Sequence, residues 1–374
     1  MSDIQAKIRV ALLFGGRSGE HSISCATAAG VMGAIDHSVY DVVPVGITRD
    51  GRWVLVADDA DRWAMRDGAM SQVTAEDGPE VSLSVTPGNR HLYALTDSQP
   101  PRDLGRIDVV FPVIHGPFGE DGTLQGLLDL AEIPYVGAGV LASAVGMDKH
   151  YMKVVLAGEG LPVGPFVTIK PWAWDHDRAQ CVAAVTALQG PWFVKPARAG
   201  SSLGITRITS LDDLPAAVAE AQKHDPKVIV EQGIDGREVE CAVLGGRGGG
   251  PARASLPGEI VVEHDQHTFY DFEAKYTDPA AVHLNCPVDL PDHLIAAVRD
   301  VARRTFDALG GEGLSRVDVF VTPDEQVIVN EINTMPGFTP FSMYPSMWQA
   351  TGISYPQLID ELIQLALDRP TGLR

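Results

Sequence analysis

The stretch from Gly313 to Phe338, GLSRVDVFVTPDEQVIVNEINTMPGF, constrains this chain more than any other. Two apolar runs flank TPDEQ, where Pro323 and Asp324 carry turn chemistry, so the segment predicts a β-hairpin. A turn between Asp324 and Glu325 sets Asp318 directly across from Glu331, and Arg316 across from Asn333. Side chains two apart share a face, so these four project from one side. Val317, Val319, Val321, Val327 and Val329 supply the other. Two carboxylates directly opposite destabilise a sheet and ask for a cation between or above them. Oxygen donors from Asp318, Glu331 and Asn333 suit magnesium rather than zinc. A magnesium ion held by few carboxylates shares itself with phosphates, so the hairpin predicts a nucleotide. A solvated outer face with charges at period two is the alternative, and the clean segregation of the valines argues against it.

Upstream, Lys195 closes an apolar strand, WFVKPA, and the loop ARAGSSLG with Ser201 and Ser202 follows at once. Small residues let backbone amides approach a phosphate, and the lysine adds a point charge. The lysine precedes the glycines, so this is not a GxxxxGK[ST] loop; an ordinary hairpin turn is the alternative, and a lysine held inside an apolar strand just before the loop weighs against it. Lys149 opens a helix, MDKHYMKVVLAGEG, where a solvated lysine is the ordinary case. Glu231 and Glu238 flank QGIDGR after a buried strand. The backbone of Glu231, Gln232, Gly233 and Ile234 could form an adenine hinge, and salt bridging on a loop is the alternative.

Four further loops carry candidate chemistry. HGPFGEDG, His115 to Gly122, joins a strand to a helix, the place where open α/β sheets bind ligands. Helix amides there favour a carboxylate, and Asp121 reads as the N-cap. GGRSGEHS, Gly15 to Ser22, occupies the same position after the first strand. Its Glu20 complements the helix dipole or binds an ammonium group, a choice the residues leave open. FYDFEAKY, Phe269 to Tyr276, reads as simple core or as a mobile lid carrying Lys275 and Tyr276. NTMPGFTPFSMYP offers Gly337 and Ser342 directly after the hairpin.

The first third alternates strands (Arg9 to Phe14, Tyr40 to Ile47, Asp108 to Ile114) with helical patterns, which predicts a parallel sheet covered on both faces. Gly51 to Asp103 is polar and uneven, an elaboration on this domain. The pattern restarts near Gly146. Short strands are expected at Trp192 to Lys195, Gly204 to Ile208 and Val228 to Glu231, and the last section reads as strand-rich to Asn333, then helical. Gly245 to Gly250 reads as a hairpin tip. A length of 374 residues allows two or three domains, and a net charge of −20 argues against nucleic-acid or anionic-membrane partners. Cys25, Cys181, Cys241 and Cys286 lack metal or disulfide spacing. No run approaches a membrane span and the N-terminus lacks a signal-peptide pattern, so a cytoplasmic protein is expected.

With these residues in view, the chain resembles the D-alanine–D-alanine ligases of the ATP-grasp superfamily along nearly its whole length. HGPFGEDGTLQG and RVDVF…NEINTMPG look like that family's two signatures; GGRSGEHSIS, MDK, VKPARAGSSLG, EQGIDGRE and FYDFEAKY match further blocks. The resemblance implies an α/β (α+β ATP-grasp) fold: a Rossmann-like parallel-sheet domain over 1–145, then ATP-grasp subdomains over 146–233 and 234–374. It implies ATP as substrate, two magnesium or manganese ions on Asp318, Glu331 and Asn333, and potassium as an optional activator. Lys149 and Lys195 correspond to phosphate-contacting lysines, with Ser201, Ser202, Lys275 and Asn330 also near ATP. Glu231 and Glu238 correspond to acids at the hinge, with Phe269 and Phe320 near adenine. Glu20, Ser201 and Tyr276 match a hydrogen-bonded triad, and His115 a residue near the first D-alanine. Arg316 and the Gly337 amide match oxyanion stabilisers. Ser342 and Met343 match the second D-alanine's carboxylate site, where leucine is often found instead of Met343. A homodimer is the family expectation. The rival on this scaffold, a D-alanine–D-lactate ligase, is disfavoured by Tyr276 in EAKY. A nicotinamide oxidoreductase is disfavoured because GGRSG is not GxGxxG, and a regulator without catalysis because the hairpin set is intact.

Overall fold

Apolar runs in Ile8–Gly15 (β1) and Tyr40–Ile47 (β2) pair in parallel, and Trp53–Leu55 (β3) adds an antiparallel edge. The computed structural model describes residues 6–65, 70–96, 99–262 and 282–371. The uneven stretch after Gly51 includes a short helix, Ala60–Trp63. It then forms a small antiparallel sheet of Val81–Leu83 (β4), His91–Thr96 (β5) and Gln99–Arg106 (β6). Val109–Pro112 (β7) returns beside β1, giving the order β3-β2-β1-β7. Both faces are covered, as expected of a mainly parallel sheet. Helix α1 (His21–Ala34) lies on one face and α2 (Thr123–Leu130) on the other.

After α3 (Val140–Met147), the helix α4 (Lys149–Gly158) begins where Asp148 accepts the amides of His150 and Tyr151 at 3.2 and 3.3 Å. That cap places Lys149 at the first helical position. A second sheet follows: Phe166–Ile169 (β8), Trp192–Pro196 (β9), Thr206–Ile208 (β10) and Val228–Gln232 (β11), ordered β10-β9-β11-β8. One face packs on its own helices through Val194, Val228, Val230, Leu214 and Val218. The other carries Phe166, Thr168, Phe193, Lys195, Ile229 and Glu231, which the register places side by side.

The third sheet contains Arg237–Leu244 (β12), Arg253–Ala254 (β13), Gly258–Val262 (β14), Val282–Asn285 (β15), Leu314–Val321 (β16) and Val327–Asn333 (β17). Gly245 to Gly250 lies in the β12–β13 hairpin connection, as its composition suggested. The strand-rich expectation up to Asn333 needs correction, because Asp292–Ala308 forms a 17-residue helix, α5. Leu294, Val298, Val301, Ala302, Thr305 and Phe306 fall on its buried stripe at helical spacing. Its large buried side chains, at roughly 1.5–3 kcal/mol each, pack under the hydrophobic face of β12, β16 and β17. Two helices close the chain, α6 (Met343–Thr351) and α7 (Tyr355–Asp368). Leu358, Ile359 and Leu362 of α7 enter the same core as Val10 and Phe14 of β1, so the end of the chain packs on the first sheet.

Candidate active site

The hairpin forms with Asp318 opposite Glu331 and Arg316 opposite Asn333. Its tip is centred on Asp324, half a residue earlier than the sequence suggests, since Val321 pairs with Val327 and Thr322 closes on Gln326. A β-bulge at Asn330 makes up the difference: Val319 pairs with Val329, while Asp318 pairs with Glu331. In a regular strand Val329 and Glu331 would share a face; the extra residue turns Glu331 away from the valines and toward Asp318.

Three acids then stand in one row, because Glu240 of β12 lies opposite Asp318 on its other side. Cations hold the row together. Arg316 donates from Nε and Nη2 to both Asp318 oxygens, each at 2.7 Å, and its Nε lies 3.2 Å from Glu240. Asn333 Nδ2 donates to Asp318 at 3.1 Å, which leaves its amide oxygen as an acceptor. Lys149 Nζ lies 3.2 Å from Glu331 and donates to the Ala199 carbonyl at 3.0 Å. Burial works to raise the Glu331 carboxyl, but Lys149, Lys195 and Arg316 bring it down to about 2. The guanidinium of Arg316 is correspondingly held charged by Asp318 and Glu240 against its own burial. Two acids and an amide therefore converge as oxygen donors, a set that fits magnesium. Among the described residues no group of three or more His, Cys, Asp or Glu is arranged to hold a metal ion. A divalent ion here would need phosphate oxygens to complete its shell.

On the facing sheet, Lys195 Nζ reaches Glu231 at 2.6 Å, and Lys153, which sequence reasoning missed, reaches the other Glu231 oxygen at 3.1 Å. Glu231 is only 7 % exposed and its carboxylate is occupied by two lysines. Its observed role is to hold ammonium groups in place. In the hinge, the Gln232 and Gly233 amides already donate to the carbonyls of Pro165 and Pro191. Glu238 and Phe320 lie opposite each other on the Asp318 face.

The small-residue loop bends back at Ser201 and Ser202, both in the left-handed region (φ 51° and 58°). That conformation costs roughly 1–2 kcal/mol per non-glycine residue, and it aims the Ser201 hydroxyl at Glu20, to which it donates. Glu20 comes from the loop after β1, so this bond joins the first sheet to the second. His115 is buried; its Nδ1 bonds the Met335 carbonyl at 3.0 Å and its Nε2 meets the Thr27 hydroxyl at 3.1 Å. Glu120, also missed, accepts the amides of Gly116 at 2.7 Å and Met335 at 2.9 Å. Burial, then the charge of Glu20, pushes its carboxyl up to about 8.

Gly337 follows in the loop 334–340, and Ser342 stands at the N-cap position of α6, where its hydroxyl accepts from the Thr339 amide at 3.1 Å. The Met343 side chain is buried in the core beside Gly258. Any contact of Met343 with a substrate carboxylate falls to its helix-terminal amide. Phe269, Lys275 and Tyr276 lie outside the described residues. The four cysteines are free thiols, with Cys25 and Cys241 pushed up to about 12 by burial.

The family model for the D-ala D-ala ligase N-terminus matches residues 9–138, and that for the C-terminus matches residues 155–364. A D-alanine--D-alanine ligase of Kineococcus radiotolerans is 59 % identical over 376 residues, covering 99 % of each chain. One from Arthrobacter sp. (strain FB24) is 57 % identical, over 99 % of this chain and 96 % of its own. Among solved structures, the D-alanine-D-alanine ligase from Coxiella burnetii superposes with a TM-score of 0.78 at 35 % identity, over 97 % of this chain and 95 % of that one. The VanG D-Ala:D-Ser ligase from Enterococcus faecalis gives 0.82 at 33 % identity, over 96 % and 100 %.

Proposed function

The chain belongs to the D-alanine–D-alanine ligase family, and from that premise we propose that it joins two D-alanine molecules at the expense of ATP, supplying a dipeptide for peptidoglycan precursors. One observation carries the reading: Asp318, Glu331, Asn333 and Arg316 share one sheet face, onto which Lys149 reaches from the helix before the phosphate loop.

In this reading Lys149 and Lys195 take the phosphates of ATP, and the hinge from Glu231 to Ile234, with Glu238 and Phe320, borders the adenosine. The first D-alanine's carboxylate attacks the terminal phosphorus, which gives an acyl phosphate and ADP. The second D-alanine's amine then attacks the acyl carbon, the carbon–oxygen bond to phosphate breaks, and the amine loses a proton. Asp318, Glu331 and Asn333 would hold magnesium or manganese, which supplies charge neutralisation at the transferring phosphoryl oxygens. Arg316 and the Gly337 amide stabilise the developing oxyanion by preorganised charge, without reorganising at the moment of reaction. Glu20 and Ser201 orient the first D-alanine, and Ser342 with the Met343 amide receives the carboxylate of the second. Lys275 and Tyr276 supply the cover that keeps water from the acyl phosphate.

The three-part division at 145 and 233, a homodimer, potassium activation and a cytoplasmic site of action are proposed on family membership. Among the described residues no helix is long and apolar enough to cross a membrane. Phosphate release measured with ATP, magnesium and D-alanine tests the reaction, with D-lactate and D-serine offered as second substrates. Release that requires D-lactate or D-serine, or none with D-alanine, overturns it.

A further inference from the structure

The backbone of Met335 is gripped at both its N–H and its carbonyl by one loop some 215 residues away in sequence. Its N–H donates to Glu120 Oε2 at 2.9 Å, and its carbonyl receives a bond from His115 Nδ1 at 3.0 Å. The loop is itself closed: Glu120 Oε1 accepts the Gly116 amide at 2.7 Å, and the Glu120 amide donates to the Gly116 carbonyl at 2.9 Å. A carbonyl acceptor requires the proton on Nδ1, so Nε2 of a neutral ring is an acceptor and takes the Thr27 hydroxyl at 3.1 Å. The ring is 4 % exposed and burial holds it neutral. Both nitrogens of His115 and both oxygens of Glu120 are thus committed to protein partners. Asn333 lies two residues before Met335 and Gly337 two residues after it, and Phe338 is wedged against Phe111 of β7 with ring centres 6.0 Å apart.

We propose that His115 and Glu120 are positioning residues that clamp the backbone of Met335 through the two peptide groups flanking its Cα, and so set where Asn333 and the Gly337 amide face the reacting groups. This rests on the function proposed above for Asn333 and Gly337, but the clamp itself is a statement about one segment's order. It replaces direct contact with substrate as the role of His115.

Asparagine and glutamine at position 115 separate the alternatives. An asparagine Nδ2 stands where histidine Nδ1 stands and can still donate to the Met335 carbonyl; a glutamine amide reaches the Nε2 position instead. His115→Asn should therefore keep turnover within about tenfold of the parent, while His115→Gln and Glu120→Gln lose ~100-fold, the range expected for misplaced donors. In Glu120→Gln one amide N–H must face another donor, so hydrogen exchange of the segment 333–338 should quicken by ~10-fold or more, the worth of a lost buried hydrogen bond. Its KM for ATP should stay within about threefold while kcat falls. Glu20→Gln provides the contrast, raising the KM for D-alanine without changing exchange at 333–338. Rescue by His115→Gln rather than His115→Asn, or a raised D-alanine KM in Glu120→Gln with parental exchange, would overturn the clamp and return these residues to the substrate. If the parent chain released no phosphate, the proposed function would fall, and the exchange measurements would still decide the clamp.

Discussion

Replacing Glu231 by glutamine tests whether one buried carboxylate holds the two lysines of the phosphate face. Burial pushes this carboxyl up, and Lys195 at 2.6 Å and Lys153 at 3.1 Å overcome that and hold it at about 2, against 4.5 in the unfolded chain. At ~1.4 kcal/mol per unit the difference is worth roughly 3 kcal/mol. Lys153 returns part of it, because its own burial and the neighbouring Lys195 lower its affinity for a proton more than Glu231 raises it. The acid's figure is therefore an upper bound for the intact cluster. Glu231→Gln does more than remove that term, since it leaves two enclosed ammonium groups facing a neutral amide; breaking a buried pair costs about 3–5 kcal/mol. We expect a loss of about 3 kcal/mol, or ~6 °C in Tm for a chain of this size, by scanning calorimetry at pH 7. Pairing it with Lys153→Met should recover at least ~1 kcal/mol, because the second change removes one of the stranded charges. The pH dependence has a definite sign. The unfolded chain takes up this proton near pH 4.5 and the folded chain only near pH 2, so the contribution is whole above 4.5 and is lost as pH falls toward 2. The gap between parent and variant should narrow across that window. A Tm within ~1 °C of the parent at pH 7, or a gap as large at pH 3 as at pH 7, refutes the reasoning.

Three more outcomes follow from the site. Arg316→Lys keeps the charge but loses the fork on Asp318 and the reach to Glu240; phosphate release should drop ~100-fold or more, and near-parental turnover would remove Arg316 from transition-state stabilisation. Gly116 has φ +72°, and a methyl group there would stand 2.3 Å from Glu20 Oε2. Gly116→Ala should cost roughly 1–2 kcal/mol of stability and, by pushing Glu20 off Ser201, raise the KM for D-alanine; an unchanged KM would argue that the Glu20–Ser201 bond does not serve the substrate. Excising Asn330 should leave a regular ladder that keeps Asp318 opposite Glu331 on the polar face, so the protein should melt like the parent and bind nucleotide more weakly only by the loss of the Asn330 side chain. A variant that fails to fold would show that the bulge serves the hairpin itself.

What could be read from the chain, and what could not, divides by how far apart the interacting residues lie. The strands at Tyr40–Ile47 and Val228–Gln232 and the pairing of Asp318 with Glu331 come from patterns contained within single segments. Helix α5 was contained in that way too, and its stripe of Leu294, Val298, Val301 and Phe306 was legible; the surrounding strands obscured it. Gly51 to Asp103 resisted because its strands β3 to β5 are only three to six residues long, too short for period two to declare itself. Glu240, Lys153 and Glu120 were missed for another reason. Each is an ionisable residue in an otherwise apolar or glycine-rich setting, and its partner lies 76, 78 and 215 positions away, at Arg316, Glu231 and Met335. No local period marks such a residue; only its enclosure does, since a buried charge persists where a partner meets it.

The bulge joins the two cases. Val327, Val329 and Ile332 are apolar at intervals of two and then three, a break in phase visible in the sequence. A regular strand would bury Glu331 with the valines, where a carboxylate has no counter-charge. One inserted residue turns it instead onto the face where Lys149 and Arg316 wait. A break in a hydrophobic period beside an acidic residue is thus itself a signal of function, because the sheet gives up ladder bonds to aim that side chain.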